Sequence, residues 1–323
     1  MTTDLLKKHA IGWIGCGRMG YSMAERLAKA GCDISVYNRT KAKAEPLAEF
    51  GAKIVDKPAD LAGCDVVFCM VSEAKDLKQV LLGEGGLISK PGKFPKIVVD
   101  STTISVDASA EIREALGKAN INFIAAPVSG NAKVVKAGKL SIVASGPKAA
   151  FDEVSPYINV FGPAGVSYVG EGELARIAKI CHNVMLGVVI QNLAEITILA
   201  EKAGLPRSAF LSFMNSSVMG SVFSRYKTPA LVNLDWTTTF TPYLLRKDLD
   251  LGLEMGRKLE VPMPVTSTTR DVLQTHMGFG AALGSDYLEK DFSTLLEHEA
   301  RSSGMKLKSE NVEVWDGLSP QKK

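Results

Sequence analysis

Gly15, Gly17 and Gly20 fall in the spacing G-x-G-x-x-G within IGWIGCGRMGYSMAERL, residues 11–27. That spacing brings a backbone close enough to hold an anion, and it also serves as a plain tight turn, so its flanks decide. A β-like run, AIGWI, leads into the glycines and an amphipathic stretch follows them. In that setting Gly15 permits the turn, Gly17 lets a phosphate approach the backbone, and Gly20 lets helix and strand pack closely. The helix N-terminus supplies N–H groups and the positive end of its dipole. The segment, with Arg18 and Met19 between its glycines, is therefore expected to hold the pyrophosphate of a dinucleotide.

The next apolar run ends SVYNRTKAK, with Asn38, Arg39, Thr40 and Lys41 where an acid would bind a ribose 2′-hydroxyl. A guanidinium grips a phosphate bidentately and a hydroxyl donates to it. NADP(H) is expected over NAD(H), which stays open, because Arg39 and Lys41 also suit a solvated helix start.

A second polar group lies far downstream. Lys179 and Asn183 stand four apart in GELARIAKICHNVMLGVVIQNLAEITILAEKAG, so both leave one face of a helix. Burying an ammonium is costly and calls for a reason. The spacing alone is met equally well by a lysine whose stem packs while its head reaches water.

Elements must place these groups. From residue 11 to about 146, the runs AIGWI, DISVYN, DVVFCMV, KIVVDS, INFIAA and LSIVASG are rich in Val and Ile with little polar alternation. They read as parallel strands buried on both faces. Helical pattern separates them, as at 21–30 and 41–50. The expected fold is α/β: a doubly wound, Rossmann-type sheet followed by an all-helical domain. The boundaries read as 1–170 for nucleotide binding, 171–304 for a helical substrate and dimerisation domain, and 305–323 for a loosely ordered tail. The long helix should run from Gly172 to Gly204, with breaks near Pro229, Pro242 and VPMPV.

Composition narrows the function. The chain has 323 residues, 46% of them hydrophobic, and a formal charge of +3, with no basic block or acidic tract. No footprint for nucleic acid or a membrane surface is expected. Five cysteines without a C-x-x-C pair argue against a metal site or a disulfide framework. No leader or transmembrane span is read at the N-terminus. The expectation is a cytoplasmic enzyme, or an organellar one if a targeting segment is missing.

The motifs together resemble the β-hydroxyacid dehydrogenases, the 3-hydroxyisobutyrate dehydrogenase group that includes glyoxylate–succinic semialdehyde reductases. GCGRMGYSMAERL, with its Met19, is similar to the family's N-terminal signature. VVDSTTIS resembles its D-x-S-T segment, APVSGNAKVVKAGKL its substrate loop, KICHN its K-x-x-x-N segment, and LLRKDLDLGLEMG its Lys-Asp segment. The likeness runs from about residue 11 to 304.

The resemblance implies hydride transfer between NAD(P) and a small 3-hydroxy acid or its semialdehyde, in a homodimer or tetramer. It implies that Lys179 is the general acid/base and that Asn183 orients it and the substrate. Ser129, with the backbone of Gly130 and Asn131, is expected at the substrate carboxylate. Thr102 is expected at the same carboxylate or on the nicotinamide side. Thr103, Met70 and Val71 are expected beside the cofactor, and Lys247 near cofactor and substrate. Two features depart from the family pattern. Asn131 stands for a second glycine, and Val134-Val135, flanked by Lys133 and Lys136, replace glycine-bearing sequence. Their side chains are expected to fill space normally open, which argues for a non-standard substrate. Imine reduction is the enzymatic alternative, although such enzymes typically lack a lysine at this position. An inactive cofactor-binding scaffold is the other alternative.

Overall fold

The computed structural model describes residues 6–284 and 286–319; the others, including the outermost residues of the expected first domain and tail, lie outside the described residues. The chain divides into two compact units, Met1–Lys179 and Ile180–Lys323. The division falls inside the long helix, later than the boundary expected at 170, because the helix's first turns are held by the sheet-bearing unit.

The first unit opens with β1 (Ile11–Ile14), α1 (Arg18–Lys29) and β2 (Ile34–Tyr37). It continues with β3 (Lys53–Ile54), β4 (Val66–Cys69), α2 (Ala74–Leu82), β5 (Ile97–Asp100), α3 (Val106–Gly117) and β6 (Asn122–Ala125). These six strands form one parallel sheet in the order β3-β2-β1-β4-β5-β6. The order reverses between β1 and β4, which pair from Ile11↔Val66 to Ile14↔Cys69. A crevice at the strands' carboxyl ends is the ligand position in such sheets. Both faces are buried, which explains the unbroken apolar runs. Trp13 and Phe68 face one layer with Met23, Leu27 and Phe161. Ile14, Val67 and Cys69 face the other with Leu77 and Ile112.

Next come β7 (Val128–Ser129), α4 (Ala132–Lys136), β8 (Ser141–Ala144), α5 (Lys148–Phe161) and β9 (Gly165–Tyr168). The run LSIVASG does not join the main sheet as expected. Its β8 is the centre of a separate three-stranded sheet, antiparallel to β7 and parallel to β9. Apolarity marks a buried strand but not its neighbours. The expected helix at 41–50 is two short 3₁₀ turns, Lys41–Lys43 and Glu45–Phe50. Pro46 sits in the second, where it supplies no N–H for a continuous α-helix.

α6 (Leu174–Lys202) spans 29 residues, close to the expected limits. By length and composition it is apolar enough to cross a membrane. In the second unit its Ile190, Leu193, Ala194 and Ile198 are buried. That unit adds α7 (Arg207–Ser216), α8 (Val222–Asn233), α9 (Pro242–Lys258), α10 (Pro264–Ala282) and α11 (Leu295–Ser302). Pro242 and Pro264 open helices, where a missing N–H costs nothing, whereas Pro229 lies inside α8 and is not a break. A Cβ on Gly252 of α9 would stand 2.2 Å from Val184 Cγ2 of α6, so glycine permits this close crossing.

The described part of the tail, residues 305–319, is anchored to the helical unit. Arg207, fully buried, donates from Nη2 to the carbonyls of Val232 (2.9 Å) and Lys308 (2.5 Å). Glu310 accepts from the backbone N–H groups of Arg207 (2.7 Å) and Ser208 (3.1 Å), capping α7. Met305, Leu307 and Val314 pack on the core formed by Leu193, Leu211 and Leu231.

His276 of α10 is buried beside His298, ring centroids 5.8 Å apart, with Nε2 3.0 Å from Thr294 Oγ1. Burial, with smaller contributions from His298 and Arg301, pushes it down to about 4. The unfolded chain therefore binds a proton that the folded one refuses. This contribution is full above the ordinary histidine value and is lost as pH falls from about 6.5 towards 4. Between pH 7 and pH 5, urea melts should show about 2 kcal/mol of lost stability from this group. His276→Gln should flatten that part of the curve, and an unchanged slope would remove His276 as its cause.

Candidate active site

The glycine turn joins β1 to α1. Gly15 has φ +101°, and a Cβ there would lie 2.2 Å from the Met70 carbonyl oxygen. A Cβ on Gly20 would lie 2.0 Å from the Gly15 carbonyl oxygen. These two glycines are required by the protein's own backbone. Gly17 differs, since a Cβ there would meet nothing within 4 Å. Gly17 is also the N-cap of α1, and no side chain caps that end. The helix therefore presents its unsatisfied N–H groups beside an open space. Such a cradle fits a dinucleotide pyrophosphate. Arg18 is exposed here and Met19 half-buried.

Asn38, expected at the cofactor, is engaged by the turn itself. The Cys16 N–H donates to Asn38 Oδ1 and Asn38 Nδ2 donates to the Thr40 carbonyl, both at 2.8 Å. These two bonds hold the turn. Cys16 beside it is pushed up to about 12 by burial and is no nucleophile. Arg39 and Thr40 are exposed, and Arg39 makes one loose pair with Asp76 at 3.4 Å. Lys41 pairs with Asp56 at 2.5 Å.

Met70 and Val71 follow β4 and are half-buried, as is Thr103. Thr102, expected at the substrate carboxylate or on the nicotinamide side, is held by its own loop. It is fully buried, and its hydroxyl donates to Asp100 Oδ1 at 2.6 Å while accepting the Val71 N–H at 3.2 Å. Its donor is engaged within the loop.

Asp100 and Arg176 form a buried pair that the sequence did not disclose. The Arg176 guanidinium, 1% exposed, donates to Asp100 Oδ2 and the Thr102 carbonyl, both at 2.5 Å, and to Ser109 Oγ at 3.1 Å. Burial pushes the Asp100 carboxyl up, while Arg176 and Thr102 pull it back towards ionisation. A charge on an apolar helix three residues before Lys179 was the available signal, but its partner lies 76 residues away. Lys179 itself is 9% exposed.

Ser129 ends β7, half-buried, and pairs in register with Ser141. Gly130 follows with φ +140°, and a Cβ there would press on Val134 at 2.7 Å. Asn131 caps α4, its Oδ1 accepting the Val134 N–H at 3.1 Å. Its Nδ2 is buried with no protein acceptor. Val134 and Val135 are buried, so the side chains expected to crowd an open loop turn into the core instead.

In the second unit, Asn183 is buried and its Nδ2 donates to Asp248 Oδ2 at 2.5 Å. His182 Nδ1 lies 2.9 Å from Asn183 Oδ1. Lys247 Nζ stands 3.1 Å from Asp248 Oδ1. The Lys-Asp segment thus fixes the Asn183 amide. Among the described residues no His, Cys, Asp and Glu cluster suits a metal ion.

Residues 10–170 match the model of the NAD-binding domain of 6-phosphogluconate dehydrogenase. Residues 173–298 match that of the NAD-binding domain of NADP-dependent 3-hydroxyisobutyrate dehydrogenase. A probable 3-hydroxyisobutyrate dehydrogenase-like mitochondrial protein of Arabidopsis thaliana is 32% identical over 79% of this chain and 76% of its own. A chloroplastic glyoxylate/succinic semialdehyde reductase of the same plant is 28% identical over 92% and 81%. The crystal structure of 3-hydroxyisobutyrate dehydrogenase from Salmonella typhimurium matches with a TM-score of 0.78 at 27% identity, covering 89% of this chain and 98% of that one. The open cradle at Gly17, on a sheet of this order and ahead of a helical unit, agrees with these matches: the chain belongs to the 3-hydroxyisobutyrate dehydrogenase and glyoxylate–succinic semialdehyde reductase-like family and is an NAD(P)-dependent oxidoreductase.

Proposed function

We propose that this enzyme interconverts a small 3-hydroxy acid and its semialdehyde, or reduces a similar short carboxylate-bearing aldehyde, with NADP(H) preferred. The observation that carries the reading is Lys179, an almost fully buried lysine one helical turn beyond the Arg176–Asp100 pair. When bound, the nicotinamide supplies or accepts the hydride. The Lys179 ammonium gives a proton to the carbonyl oxygen in reduction and takes it back in oxidation. Its charge also favours the alkoxide that develops. Ser129 and the N–H groups around Gly130 and Asn131 are the carboxylate donors in this reading. Asn183, with its amide set by Asp248, orients the substrate, and Lys247 is assigned to cofactor and substrate. The names of the plant reductase and the Salmonella dehydrogenase support this substrate class.

We further propose that the enzyme is a homo-oligomer, an assembly that would cover exposed apolar residues of the helical unit such as Leu199, Phe213, Val218, Met219 and Phe279. It takes no nucleic-acid or membrane partner, and an intracellular, first of all cytoplasmic, location. The five free cysteines suit a reducing compartment.

The test is NAD(P)H oxidation with glyoxylate, succinic semialdehyde and an uncharged aldehyde of matched length. The carboxylate-bearing aldehydes should show the higher kcat/KM. Equal values would sink the substrate class. Arg39 is free to leave its exposed Asp76 pair, which is worth little. A charge-assisted bond to the 2′-phosphate is worth about 1.5–3 kcal/mol. Arg39→Ala should therefore raise KM for NADPH roughly tenfold to a hundredfold and hardly change it for NADH. Equal weakening of both would refute the NADP preference.

A further inference from the structure

The sheet-bearing unit holds α6 by three anchors near its start. Ser145 Oγ donates to the Gly172 carbonyl at 2.8 Å and accepts the Ala175 N–H at 3.0 Å. Arg113 Nε donates to Glu173 Oε1 at 2.8 Å. Arg176 makes the third, and its anchor reaches the carboxyl end of β5 beside the proposed cofactor crevice. Its guanidinium touches the end of β5 through Asp100, the following loop through the Thr102 carbonyl, and α3 through Ser109. It also lies 5.8 Å from the Phe123 ring centroid of β6. Asp100 Oδ1 in turn accepts from the Thr102 N–H (3.1 Å) and hydroxyl (2.6 Å), and that hydroxyl receives the Val71 N–H (3.2 Å). One connected network therefore joins the end of β5 and the loop after β4 to the helical turn that carries Lys179.

We propose that Arg176 is the positioning residue for proton transfer: it sets Lys179 at a fixed height over the carboxyl ends of β4 and β5. The inference rests on the acid/base reading of Lys179. Residues three apart on a helix share a face, so a guanidinium locked at 176 limits rotation and sliding of the turn at 179. Stability does not account for the arrangement well. A buried ion pair is replaced by apolar residues with little loss, so the pair is weak evidence for a stabilising role. Positional control accounts for it better. A planar fork with several fixed donors holds a direction, which a lysine's point charge does not. A misplacement of about 1 Å costs an enzyme on the order of a hundredfold.

Three variants test this: Arg176→Lys, the paired Arg176→Met/Asp100→Asn, and Lys179→Arg. The paired change leaves no orphaned charge, so it keeps the test open if Arg176→Lys folds poorly. In both Arg176 variants kcat should fall about tenfold to a hundredfold. The dissociation constant for NADPH should stay within about twofold, since the Gly15–Gly20 turn is untouched. The solvent deuterium isotope effect on kcat should rise, because a displaced Lys179 makes proton transfer limiting. A purely structural Arg176 would lower the melting temperature and cofactor affinity together and leave the isotope effect per folded molecule unchanged; that pattern overturns the proposal. Normal kcat in the paired variant overturns it too. If Lys179→Arg is inactive while the Arg176 variants turn over normally, only the positioning role fails. If Lys179→Arg retains turnover, the acid/base reading fails and takes this inference with it.

Discussion

Lys179→Ala is expected to lower kcat by roughly 10²–10⁴ while the fold and NADPH affinity stay near normal. The magnitude is that of a positioned acid/base. The separation of effects follows from where the residue sits. Lys179 is on α6, whereas the pyrophosphate cradle is the turn between β1 and α1. A circular dichroism melt of the variant checks that the fold is kept. Single-turnover absorbance at saturating NADPH and aldehyde reads the hydride step, and a fluorescence titration reads cofactor binding. A parallel fall in both would move Lys179 from the chemistry to cofactor binding.

Gly17→Ala should cost cofactor binding alone, and Gly20→Ala stability as well. At Gly17 a methyl group meets no protein atom within 4 Å, so the variant should fold and melt like the parent. The methyl then occupies the space through which the pyrophosphate reaches the N-terminus of α1. Losing those charge-assisted contacts, each about 1.5–3 kcal/mol, predicts a hundredfold or greater loss of NADPH affinity. At Gly20 the methyl would stand 2.0 Å from the Gly15 carbonyl oxygen, so backbone must shift. That variant should lose several degrees of melting temperature as well as cofactor. Strain of this kind costs about 1–3 kcal/mol. Calorimetric melts with and without NADPH separate the two. Equal destabilisation without cofactor would mean that Gly17 also serves only the turn.

What the sequence disclosed follows from distance along the chain. The glycine turn was legible because β1, the turn and α1 are consecutive and each glycine's task is local. The long helix was legible from its apolarity and the glycines at its ends. The Arg176–Asp100 network was not, because neither residue's pattern names a partner 76 positions away. For the same reason the sequence does not disclose the internal partners of Asn38 and Thr102. Their polar groups are satisfied by Cys16 and Asp100 through the fold, which sequence position alone does not show. LSIVASG was recognisable as a strand, but its pairing with β7 and β9 depends on register and not on composition. The tail lacked periodicity because its order comes from single polar anchors. The bond from the Arg207 N–H to Glu310 spans 103 residues and leaves no repeating trace. Val134 and Val135 read as intruders into a loop until α4 turned them inward.

The most direct test of the central claim, proton transfer by Lys179, is the single-turnover rate of NADPH oxidation in Lys179→Arg across pH 6–9, with succinic semialdehyde as substrate. Arginine keeps the positive charge but releases no proton in that range. If Lys179 transfers the proton, the rate should stay at least about a hundredfold below the parent at every pH. A rate within a few-fold of the parent would show that charge alone suffices, and would contradict the acid/base role of Lys179.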